Sequence, residues 1–511
     1  MSEVATSVAD VLSSLDALGI KRQRMTVDSR LVVAGDVFVA IPGARVDGRD
    51  FAVAAQARGA SALLWDAAGL RVADTTEITI PVIVVENLST LLGQIADAFY
   101  GQPSSRVKVF GITGTNGKTS IANWLAQAYS LLGQNCGAVG TLGVSLGDQS
   151  WPTNNTTPEA VSVHTILRDL HEAGAVSVAM EVSSHALELG RVSGVRFATA
   201  IFTNLTQDHL DFHGTMEAYG AAKLKLFTDY PVANRVVNVD DAFGETIVAR
   251  KLPNTTTYGL ERGDVRGEVL TTSSSGMTLR LHFAGSAVRV DTALIGRFNA
   301  SNLMAVAATL LADHVSLETV ANVLEKLKAA PGRMQRVFVQ DENALPSVYV
   351  DYAHTPDALA KALDTVRETQ PNSLTVVFGC GGDRDRRKRP LMGQIADQRA
   401  DRVYVTSDNP RNESPESIIT EIVSGMSADK AKLEIVVQRR DAIHAAIHAA
   451  QSSDAVLIAG KGHELYQEIF GERLPFSDEL EAQGALQSYR IFTTAAPRSS
   501  SNTQAASHVG E

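Results

Sequence analysis

The segment Gly111–Ser120, GITGTNGKTS, contains the residue types that bind nucleotide phosphates. Glycines at 111, 114 and 117 let backbone N–H groups approach an anion, and Lys118 adds a positive charge. The usual phosphate loop has Gly, four residues and then Gly-Lys-Ser/Thr, but Ile112 occupies the position of its first glycine. Thr119 would offer its hydroxyl to Mg²⁺. The pattern predicts a phosphate site in a variant register and disfavours a plain glycine turn beside a surface lysine.

Other residues with metal-binding chemistry follow along the chain. Glu181 ends the apolar run VSVAME, and a carboxylate at a strand end beside a phosphate loop is a natural Mg²⁺ ligand. By itself it could equally cap a helix. His209 and His213 lie in a polar segment before a helical pattern that carries Lys223 and Lys225. Without further information, these histidines and lysines are typical of a solvated surface.

The elements that must position these residues follow from hydrophobic patterning. RVKVFGITGTNGKTSIANWLAQAY predicts strand, glycine loop and helix, with the helix N-terminus facing the anion. Residues 256–296 have the pattern of antiparallel hairpins. Further on, four apolar segments each end in a polar loop: SVYVDYAHTPD, SLTVVFGCGGDRD, DRVYVTSDNPRNE and DAVLIAGKGHE. They predict a parallel sheet that brings these loops to one edge, where open α/β sheets bind ligands.

Chain length and the positions of loop-forming residues predict several domains. A chain of 511 residues with 44% hydrophobic content is too long for one core. Gly101, Pro103 and two serines separate a helical pattern from a strand pattern. We expect α/β domains over 1–101, 102–335 and 336–495, the second with a mostly parallel sheet plus hairpins, and a disordered tail over 496–511.

Charge and cysteine content exclude some classes of protein. With 46 basic and 57 acidic residues the net charge is −11, which argues against a broad nucleic-acid-binding surface. The two cysteines, Cys136 and Cys380, argue against a disulfide framework. No apolar run reaches membrane-spanning length, and the first residues lack the basic charge of a signal peptide. We expect a cytoplasmic monomer without nucleic-acid partners or membrane insertion.

Ten motifs occur in the order found in Mur ligases: GITGTNGKTS, EVSSHAL, TNLTQDHLDFHG, AAKLKLF, GRFNASN, GRM, DYAHTPD, GCGGDRD, DNPR and AGKGHE. The chain therefore resembles the Mur ligase family, most closely its diaminopimelate-adding members. The resemblance runs from VDSR near residue 27 to AGKGHE near residue 460. In this family the phosphate loop reads TGTNGK[TS], which accounts for the variant register.

The resemblance implies three domains: an N-terminal UDP-binding α/β domain, a central P-loop ATPase domain, and a C-terminal Rossmann-like domain that closes over the amino-acid substrate. It implies a ligase of cytoplasmic peptidoglycan precursor synthesis with Mg²⁺ as cofactor. The D-glutamate carboxylate of UDP-MurNAc-L-Ala-D-Glu would attack ATP to form an acyl phosphate. The amine of meso-diaminopimelate would then displace phosphate.

The resemblance also implies roles for individual residues, with Lys118, Lys223, His209 and Glu181 as the catalytic set. The residues expected to bind ATP are Gly114, Thr115, Asn116, Gly117, Lys118, Thr119, Asn299, Arg333 and Asp351. The expected metal ligands are Thr119, Glu181, His209 and Lys223, the last as a CO₂-derived carbamate, N6-carboxylysine. The residues expected to bind the UDP-MurNAc dipeptide are Ser29, Asn155, Thr156, Thr157, Ser183, Ser184 and Arg191.

The choice of amino acid is expected to depend on the DNPR motif. DNPR resembles the signature of relatives that use meso-diaminopimelate, and lysine-adding relatives lack this arginine. Diaminopimelate has a carboxylate at its distal carbon, which a guanidinium can pair through two parallel hydrogen bonds, whereas the same cation would repel the lysine ammonium. The resemblance implies a pocket in which Glu464 pairs the distal amine; its residues are Arg384, Asp408, Asn409, Arg411, Gly460 and Glu464.

Three other functions share parts of the pattern. Folylpolyglutamate synthase has the same ligase core, but it would not be expected to carry the UDP-binding first domain or DNPR. A P-loop phosphotransferase would need no amine-binding third domain, so strict dependence of ATP consumption on an amine separates the two. A non-enzymatic nucleotide-binding scaffold would tolerate Lys223→Ala.

Overall fold

The computed structural model describes residues 4–43, 46–68, 77–339, 345–427 and 433–494. The tail expected over 496–511 lies outside these ranges. The chain divides into two compact units, Met1–Ala330 and Pro331–Glu511.

The first unit begins with a small parallel sheet flanked by helices. Its strands are β1 (Met25–Thr26), β2 (Val37–Ala40), β3 (Ala62–Asp66) and β4 (Val82–Val85), and its helices are α1 (Val8–Ala17), α2 (Ala52–Ala57) and α3 (Leu88–Phe99). The strands pair in the order β1-β2-β3-β4, all parallel. Short 3₁₀ helices at Ser29–Leu31 and Gly48–Phe51 follow Asp28 and Asp47, whose side chains accept hydrogen bonds from the backbone and so begin each turn.

The rest of the first unit is built on an eleven-stranded sheet. Its strands are β5 (Lys108–Thr113), β6 (Cys136–Gly140), β7 (Gly143–Leu146), β8 (Gln149–Trp151), β9 (Ser177–Glu181), β10 (Phe197–Phe202), β11 (Val232–Asn238), β12 (Thr255–Gly259), β13 (Val265–Ser273), β14 (Gly276–Phe283) and β15 (Ser286–Thr292). The order is β15-β14-β13-β12-β11-β10-β5-β9-β6-β7-β8. Pairing is parallel from β13 through to β6 and antiparallel within β13-β14-β15 and β6-β7-β8. The expected hairpins within 256–296 are therefore confirmed as β13-β14-β15.

The helices of this part are α4 (Lys118–Leu131), α5 (Ala160–Glu172), α6 (Ser184–Glu188), α7 (Leu210–His213), α8 (Met216–Thr228), α9 (Ala242–Val248), α10 (Arg297–Ala312) and α11 (Leu317–Leu324). Helix α10 is apolar nearly all round and is buried between the sheet and α4. Since β9, β5 and β10 are adjacent and parallel, their C-terminal ends bring three loops to one edge of the sheet.

The core around the four-stranded sheet extends to Ala160 and Val161 at the start of α5. The core of the four-stranded sheet therefore packs against helix α5 of the following part. The expected boundaries at 101/102 and 335/336 stay predictions.

The second unit carries a six-stranded sheet and a separate hairpin. Its strands are β16 (Gln335–Arg336), β17 (Ser347–Asp351), β18 (Leu374–Phe378), β19 (Arg402–Val405), β20 (Leu433–Ile435), β21 (Ala455–Ala459), β22 (Tyr466–Ile469) and β23 (Glu472–Pro475). Its helices are α12 (Pro356–Glu368), α13 (Lys388–Arg399), α14 (Pro415–Val423), α15 (Arg439–Ala449) and α16 (Asp478–Thr494). The sheet order is β16-β17-β21-β18-β19-β20, and only β16 pairs antiparallel. The four apolar segments predicted as a parallel sheet are β17, β18, β19 and β21.

Both cysteines are free thiols in the interior. Cys136 begins β6, and Cys380 follows β18 with its Sγ 3.6 Å from Met392 Sδ. Burial raises the pKa of each thiol to about 12. Among the described helices, none combines the length and apolar character that crossing a bilayer requires.

Candidate functional site

The predicted strand, loop and helix are β5, residues 114–117 and α4. Gly114 has φ +149° and Gly117 has φ +89°, conformations that favour glycine. A Cβ at Gly117 would lie 2.5 Å from Asn302 Oδ1, and one at Gly114 would overlap Thr203 Oγ1. The loop backbone therefore depends on glycine twice, for its dihedral angles and for close packing.

A neighbouring segment holds this loop in place. The Thr115 N–H donates to the Asn204 carbonyl oxygen at 2.8 Å, and the Asn116 N–H donates to Asn204 Oδ1 at 2.9 Å. Thr203 Oγ1 donates to the Asn116 carbonyl oxygen at 2.6 Å. Because these partners follow β10, the phosphate loop is fixed by the adjacent strand's loop without any ligand.

Two lysine amines meet at the loop. Lys118 Nζ donates to the carbonyl oxygens of Gly114 and Thr115 at 2.8 and 2.9 Å, and Lys223 Nζ donates to the same Gly114 oxygen at 2.9 Å. Lys223 is only 1% exposed, and its Nζ lies 4.3 Å from the centre of the Tyr219 ring. Burial and the charge of Lys118 hold the pKa of Lys223 well below its usual value. A neutral amine of this kind can react with CO₂.

Glu181, the last residue of β9, is 1% exposed. Its Oε1 accepts a hydrogen bond from the Thr141 N–H at 2.8 Å, and Oε2 accepts one from Thr141 Oγ1 at 3.3 Å. Thr119 is buried in the first turn of α4. No cluster of three or more His, Cys, Asp or Glu side chains forms a metal site within the described residues. Mg²⁺ takes one or two carboxylates and completes its shell with phosphate oxygens and water, so these donors suit a Mg²⁺ that arrives with ATP.

His209 belongs to a group of three histidine rings. Its ring centre lies 4.8 Å from that of His185, which lies 5.5 Å from that of His213. His213 Nε2 is 2.9 Å from Ser184 Oγ, so this group joins the His209 loop to α6. Burial is the main cause that lowers the pKa of His185 and of His213. Sequence reasoning did not single out His185, although it stands within EVSSHAL.

Thr157 connects several residues expected to bind the UDP-MurNAc dipeptide. Its Oγ1 donates to the Glu181 carbonyl oxygen at 2.8 Å and accepts from the Ser183 N–H at 3.0 Å. Arg191 Nη1 donates to the Thr157 carbonyl oxygen at 3.1 Å, and its Nη2 lies 3.1 Å from Glu159 Oε1. The structure thus places Thr157, Ser183 and Arg191 beside the strand that ends in Glu181.

A cleft of about 540 Å³ lies close to these residues within the first unit. Its polar lining includes Arg24, Thr26, Asp28, Thr153, Asn155 and Glu159. Buried Ser29 follows Asp28 directly. Thr156 Oγ1 lies 3.2 Å from Thr141 Oγ1, which connects the expected dipeptide residues to the partner of Glu181.

In the second unit, the loops after β19 and β21 meet. Asn409 is buried, and its Nδ2 donates to Glu464 Oε2 at 2.7 Å. Gly460 has φ +118°, and a Cβ there would lie 2.5 Å from Asp408 Oδ2. The structure therefore brings together four of the six residues expected to bind the amino acid, Asp408, Asn409, Gly460 and Glu464. The exposed residue Arg384 lies near Gly381 in the loop after β18.

Arg411 adopts a left-handed backbone conformation with φ +51°. Its Nη1 donates to the Gly382 carbonyl oxygen at 2.8 Å, and its Nε lies 3.7 Å from Glu468 Oε2. The Arg411 N–H also donates to the Glu468 carbonyl oxygen at 3.0 Å. The DNPR loop is thereby fastened to β22.

Two residues that sequence reasoning missed contact this group. Lys461 is completely buried and donates to both Asn409 Oδ1 and Glu464 Oε2. Glu468 faces Arg411. The position of Lys461 within AGKGHE could have marked it as a site residue, but a lysine in a polar loop is ordinarily exposed.

The remaining residues expected to bind ATP fall in both units. Asp351 ends β17 and accepts hydrogen bonds from the backbone N–H groups of Met334 and Ala353 at 2.7 and 2.9 Å. Burial raises the pKa of Asp351, and the Arg333 charge opposes that shift. Asn299, buried in α10, donates to the Ile295 carbonyl oxygen at 2.9 Å.

Asn302, one helical turn after Asn299, is the asparagine that contacts the phosphate loop at Gly117. Sequence reasoning did not select it. The repeated asparagine in GRFNASN was the available signal, since residues three apart lie on one helix face.

Three family models match the chain in order: "Mur ligase family, catalytic domain" at residues 23–100, "Mur ligase middle domain" at 112–310, and "Mur ligase, glutamate ligase domain" at 332–462. A UDP-N-acetylmuramoyl-L-alanyl-D-glutamate–2,6-diaminopimelate ligase of Chromobacterium violaceum is 49% identical over 93% of this chain and 96% of its own. The ligase of the same name from Neisseria meningitidis serogroup B is 44% identical over 95% and 99%. A solved structure with that name has a TM-score of 0.67 and 36% identity, covering 91% of this chain and 95% of its own.

Proposed function

Since this chain belongs to the Mur ligase family, we propose that it adds meso-diaminopimelate to UDP-MurNAc-L-Ala-D-Glu, with ATP, in cytoplasmic peptidoglycan precursor synthesis. Relatives named for this reaction match the chain almost from end to end. The observation that carries the proposal is that the Asp408–Arg411 loop supplies a cation, Arg411, and through Asn409 holds a carboxylate, Glu464. A substrate carbon bearing both an amine and a carboxylate requires these two charges.

ATP is proposed to bind through the phosphate loop. The amides of residues 114–119 and the Lys118 amine would bind the β- and γ-phosphates. Asn299, Arg333 and Asp351 would hold the rest of the nucleotide. Lys118 Nζ donates to the Gly114 and Thr115 carbonyl oxygens, so the amine lies against the same loop whose amides would bind the phosphates.

Thr119, Glu181 and His209 would hold Mg²⁺, together with Lys223 as a carbamate. When bound, Mg²⁺ would offset negative charge during phosphoryl transfer. Carbamylation would turn the Lys223 amine into an anion, which would remove the repulsion between a second ammonium and the metal. The buried amine 2.9 Å from the Gly114 carbonyl oxygen supports this proposal.

The reaction activates a carboxylate, which is otherwise a poor acyl donor. An oxygen of the D-glutamate carboxylate would attack the γ-phosphorus, and ADP would leave. The free amine of diaminopimelate would attack the acyl carbon, lose a proton and expel phosphate, which completes the amide bond. Ser29, Asn155, Thr156, Thr157, Ser183, Ser184 and Arg191 would orient the UDP-linked dipeptide.

Selection of diaminopimelate would depend on Arg411 and Glu464, with Arg384, Asp408, Asn409 and Gly460 completing the pocket. Arg411 would pair the distal carboxylate through two parallel hydrogen bonds, and Glu464 would pair the distal amine. L-Lysine lacks that carboxylate and would leave the guanidinium unpaired beside an ammonium. We also propose that the protein acts as a monomer.

The test is phosphate release from ATP with purified protein, Mg²⁺ and UDP-MurNAc-L-Ala-D-Glu, comparing meso-diaminopimelate, L-lysine and no amine. We expect release only with diaminopimelate, accompanied by the tripeptide product. Equal release with lysine would contradict the proposed specificity. Release without any amine would contradict the ligase and favour a phosphotransferase.

A further inference from the structure

Lys461 is a completely buried cation at the centre of the group formed by the loops after β19 and β21. Its Nζ donates to Asn409 Oδ1 at 2.9 Å and to Glu464 Oε2 at 3.0 Å. It also lies 5.6 Å from the centre of the Tyr466 ring. A buried ammonium is costly unless it is paired, so this position is stable only with Asn409 and Glu464 in place.

The same contacts determine which oxygen of Glu464 a ligand can use. Oε2 accepts from both Lys461 Nζ and Asn409 Nδ2. Among the described residues, Oε1 has no hydrogen-bond partner, and the Glu464 side chain is 20% exposed. Lys461 therefore fixes the carboxylate and leaves one oxygen available.

Asn409 is held independently of Lys461. The Glu468 N–H donates to Asn409 Oδ1 at 2.9 Å, which is the oxygen that also accepts from Lys461. Because the backbone of β22 supplies this bond, loss of the Lys461 amine would leave Asn409 anchored. Loss of the Lys461 amine would mainly affect Glu464, which would keep its charge and its hydrogen bond from Asn409 but lose the one from Lys461.

The charges explain what Lys461 adds to substrate choice. Lys461 and Glu464 form a neutral pair, and Arg411 lies beside another carboxylate, Glu468, at 3.7 Å. Removing the Lys461 charge would make this group one unit more negative. A zwitterionic carbon is neutral, whereas the end of the lysine side chain carries one positive charge, so a more negative pocket favours lysine relative to diaminopimelate.

We propose that Lys461 is a positioning residue that determines amino-acid specificity: by neutralising and orienting Glu464, it makes the pocket select a zwitterionic carbon and reject a lone ammonium. This inference rests on the proposed function, because it assigns Lys461 a part in the choice between two substrates of that reaction.

The test compares Lys461→Met and Lys461→Gln, which remove the charge, with Lys461→Arg, which keeps it. Lys361→Met is the matched control, since Lys361 lies exposed on α12 and pairs with Asp357 at 2.7 Å, away from the residues proposed to bind substrates. For each protein, kcat/KM is measured with meso-diaminopimelate and with L-lysine on the same preparation. Partial unfolding then cancels in the ratio of the two values.

We expect the ratio of diaminopimelate to lysine efficiency to fall about tenfold or more in the two uncharged variants, since one charge-assisted contact is worth at least about that factor. Lys461→Arg should restore most of the ratio, and Lys361→Met should leave it unchanged. The KM for ATP should be unchanged in all of these variants. An unchanged ratio with lower activity on both amines would show a merely structural role and overturn the inference.

A second measurement checks that Lys461 acts through Glu464. In a Glu464→Gln background, Lys461→Met should cause no further fall in the ratio, because the charge it neutralises is gone. A full, independent fall there would overturn the mechanism. Failure of the unaltered protein to use diaminopimelate would instead refute the proposed function, so the two failures are distinguishable.

Discussion

Lys223 shows how a single residue can be prepared for chemistry by its surroundings. A buried lysine normally needs a carboxylate partner, but the Lys223 amine instead meets a carbonyl oxygen, an aromatic ring and another lysine. The carbonyl oxygen and the ring favour the ammonium only weakly, while burial and the Lys118 charge disfavour it and lower the pKa of Lys223. The neutral amine is therefore populated at a pH below the usual lysine range, as the proposed carbamylation would require.

At this scale we predict that Lys223→Ala lowers kcat by about a hundredfold or more, because removal of a metal ligand or its support has effects of this order. Lys225→Ala is the control. Lys225 lies on the same helix, α8, but its amine pairs with Glu188 at 2.7 Å. Removal of dissolved CO₂ should reduce the activity of the unaltered protein, and bicarbonate should restore it. Full activity of Lys223→Ala in the phosphate-release assay would contradict the prediction.

Individual residues were predictable only where a motif marked them. Lys223 and Arg411 were selected through the family resemblance, and their roles stay predictions. Lys461 and Asn302 were missed because their burial and contacts depend on the tertiary fold. The sequence of a polar motif does not show which of its lysines or asparagines is buried.

At the scale of elements, the phosphate loop depends on how β5 enters α4. Gly117 and Gly133 flank α4, and both have positive φ, +89° and +76°. They differ in their surroundings: a Cβ would meet Asn302 Oδ1 at 2.5 Å at the first position and nothing within 4 Å at the second.

We therefore predict that Gly117→Ala abolishes measurable Mg²⁺-ADP binding, whereas Gly133→Ala keeps it and loses only about 1 kcal/mol of stability from the left-handed backbone. Isothermal titration calorimetry gives the first quantity and urea denaturation the second. Equal nucleotide affinity in the two variants would show that the loop does not bind the phosphates.

The contact between α3 and α5 contains a buried acid–base pair. His164 Nδ1 lies 3.5 Å from Asp97 Oδ1, and His164 Nε2 lies 2.8 Å from the Ser193 carbonyl oxygen. Burial raises the pKa of Asp97 to about 6 and lowers the pKa of His164 to about 4. Between these values the folded pair holds one proton, and so does the unfolded pair, where only the histidine is protonated.

From these pKa values we predict that the pair adds no pH dependence to stability between about pH 4 and 6. In His164→Gln, the folded state alone would hold a proton, so the free energy of unfolding should fall as pH rises, by up to about 1.4 kcal/mol per pH unit. Asp97→Asn should show the opposite slope. Urea denaturation across this range measures both, and parallel curves for all three proteins would refute the assignment.

Elements were predictable where patterning was strong. The strands β17, β18, β19 and β21 follow from continuous apolar runs, and the hairpins β13 to β15 follow from alternation. The two-residue strand β16 carries no such pattern, because its pairing is decided by the neighbouring strand β17.

At the scale of the whole molecule, the residues proposed to bind ATP come from both compact units. The phosphate loop and Asn299 belong to the first unit, and Arg333 and Asp351 belong to the second. A nucleotide bound as proposed would link the two units thermodynamically, because it would stabilise only the state in which both are folded. Sequence reasoning placed these motifs in order, but separate local patterns carry no information on how folded bodies are arranged.

We predict that Asp351→Asn weakens Mg²⁺-ADP binding about tenfold, as expected for loss of one charged contact. Asp364→Asn is the control, since Asp364 is exposed in the same unit and pairs with Arg399. Calorimetric titration of both variants measures the effect. An unchanged dissociation constant for Asp351→Asn would confine the nucleotide to the first unit.

The buried thiols of Cys136 and Cys380 have a practical consequence. With pKa values raised to about 12 and at most 5% of either residue exposed, they form little thiolate and are shielded from maleimide reagents. One new cysteine on the surface of each unit could therefore accept a donor and an acceptor dye without removal of the native thiols. Energy transfer between the dyes would then follow the separation of the two units through a catalytic cycle, molecule by molecule.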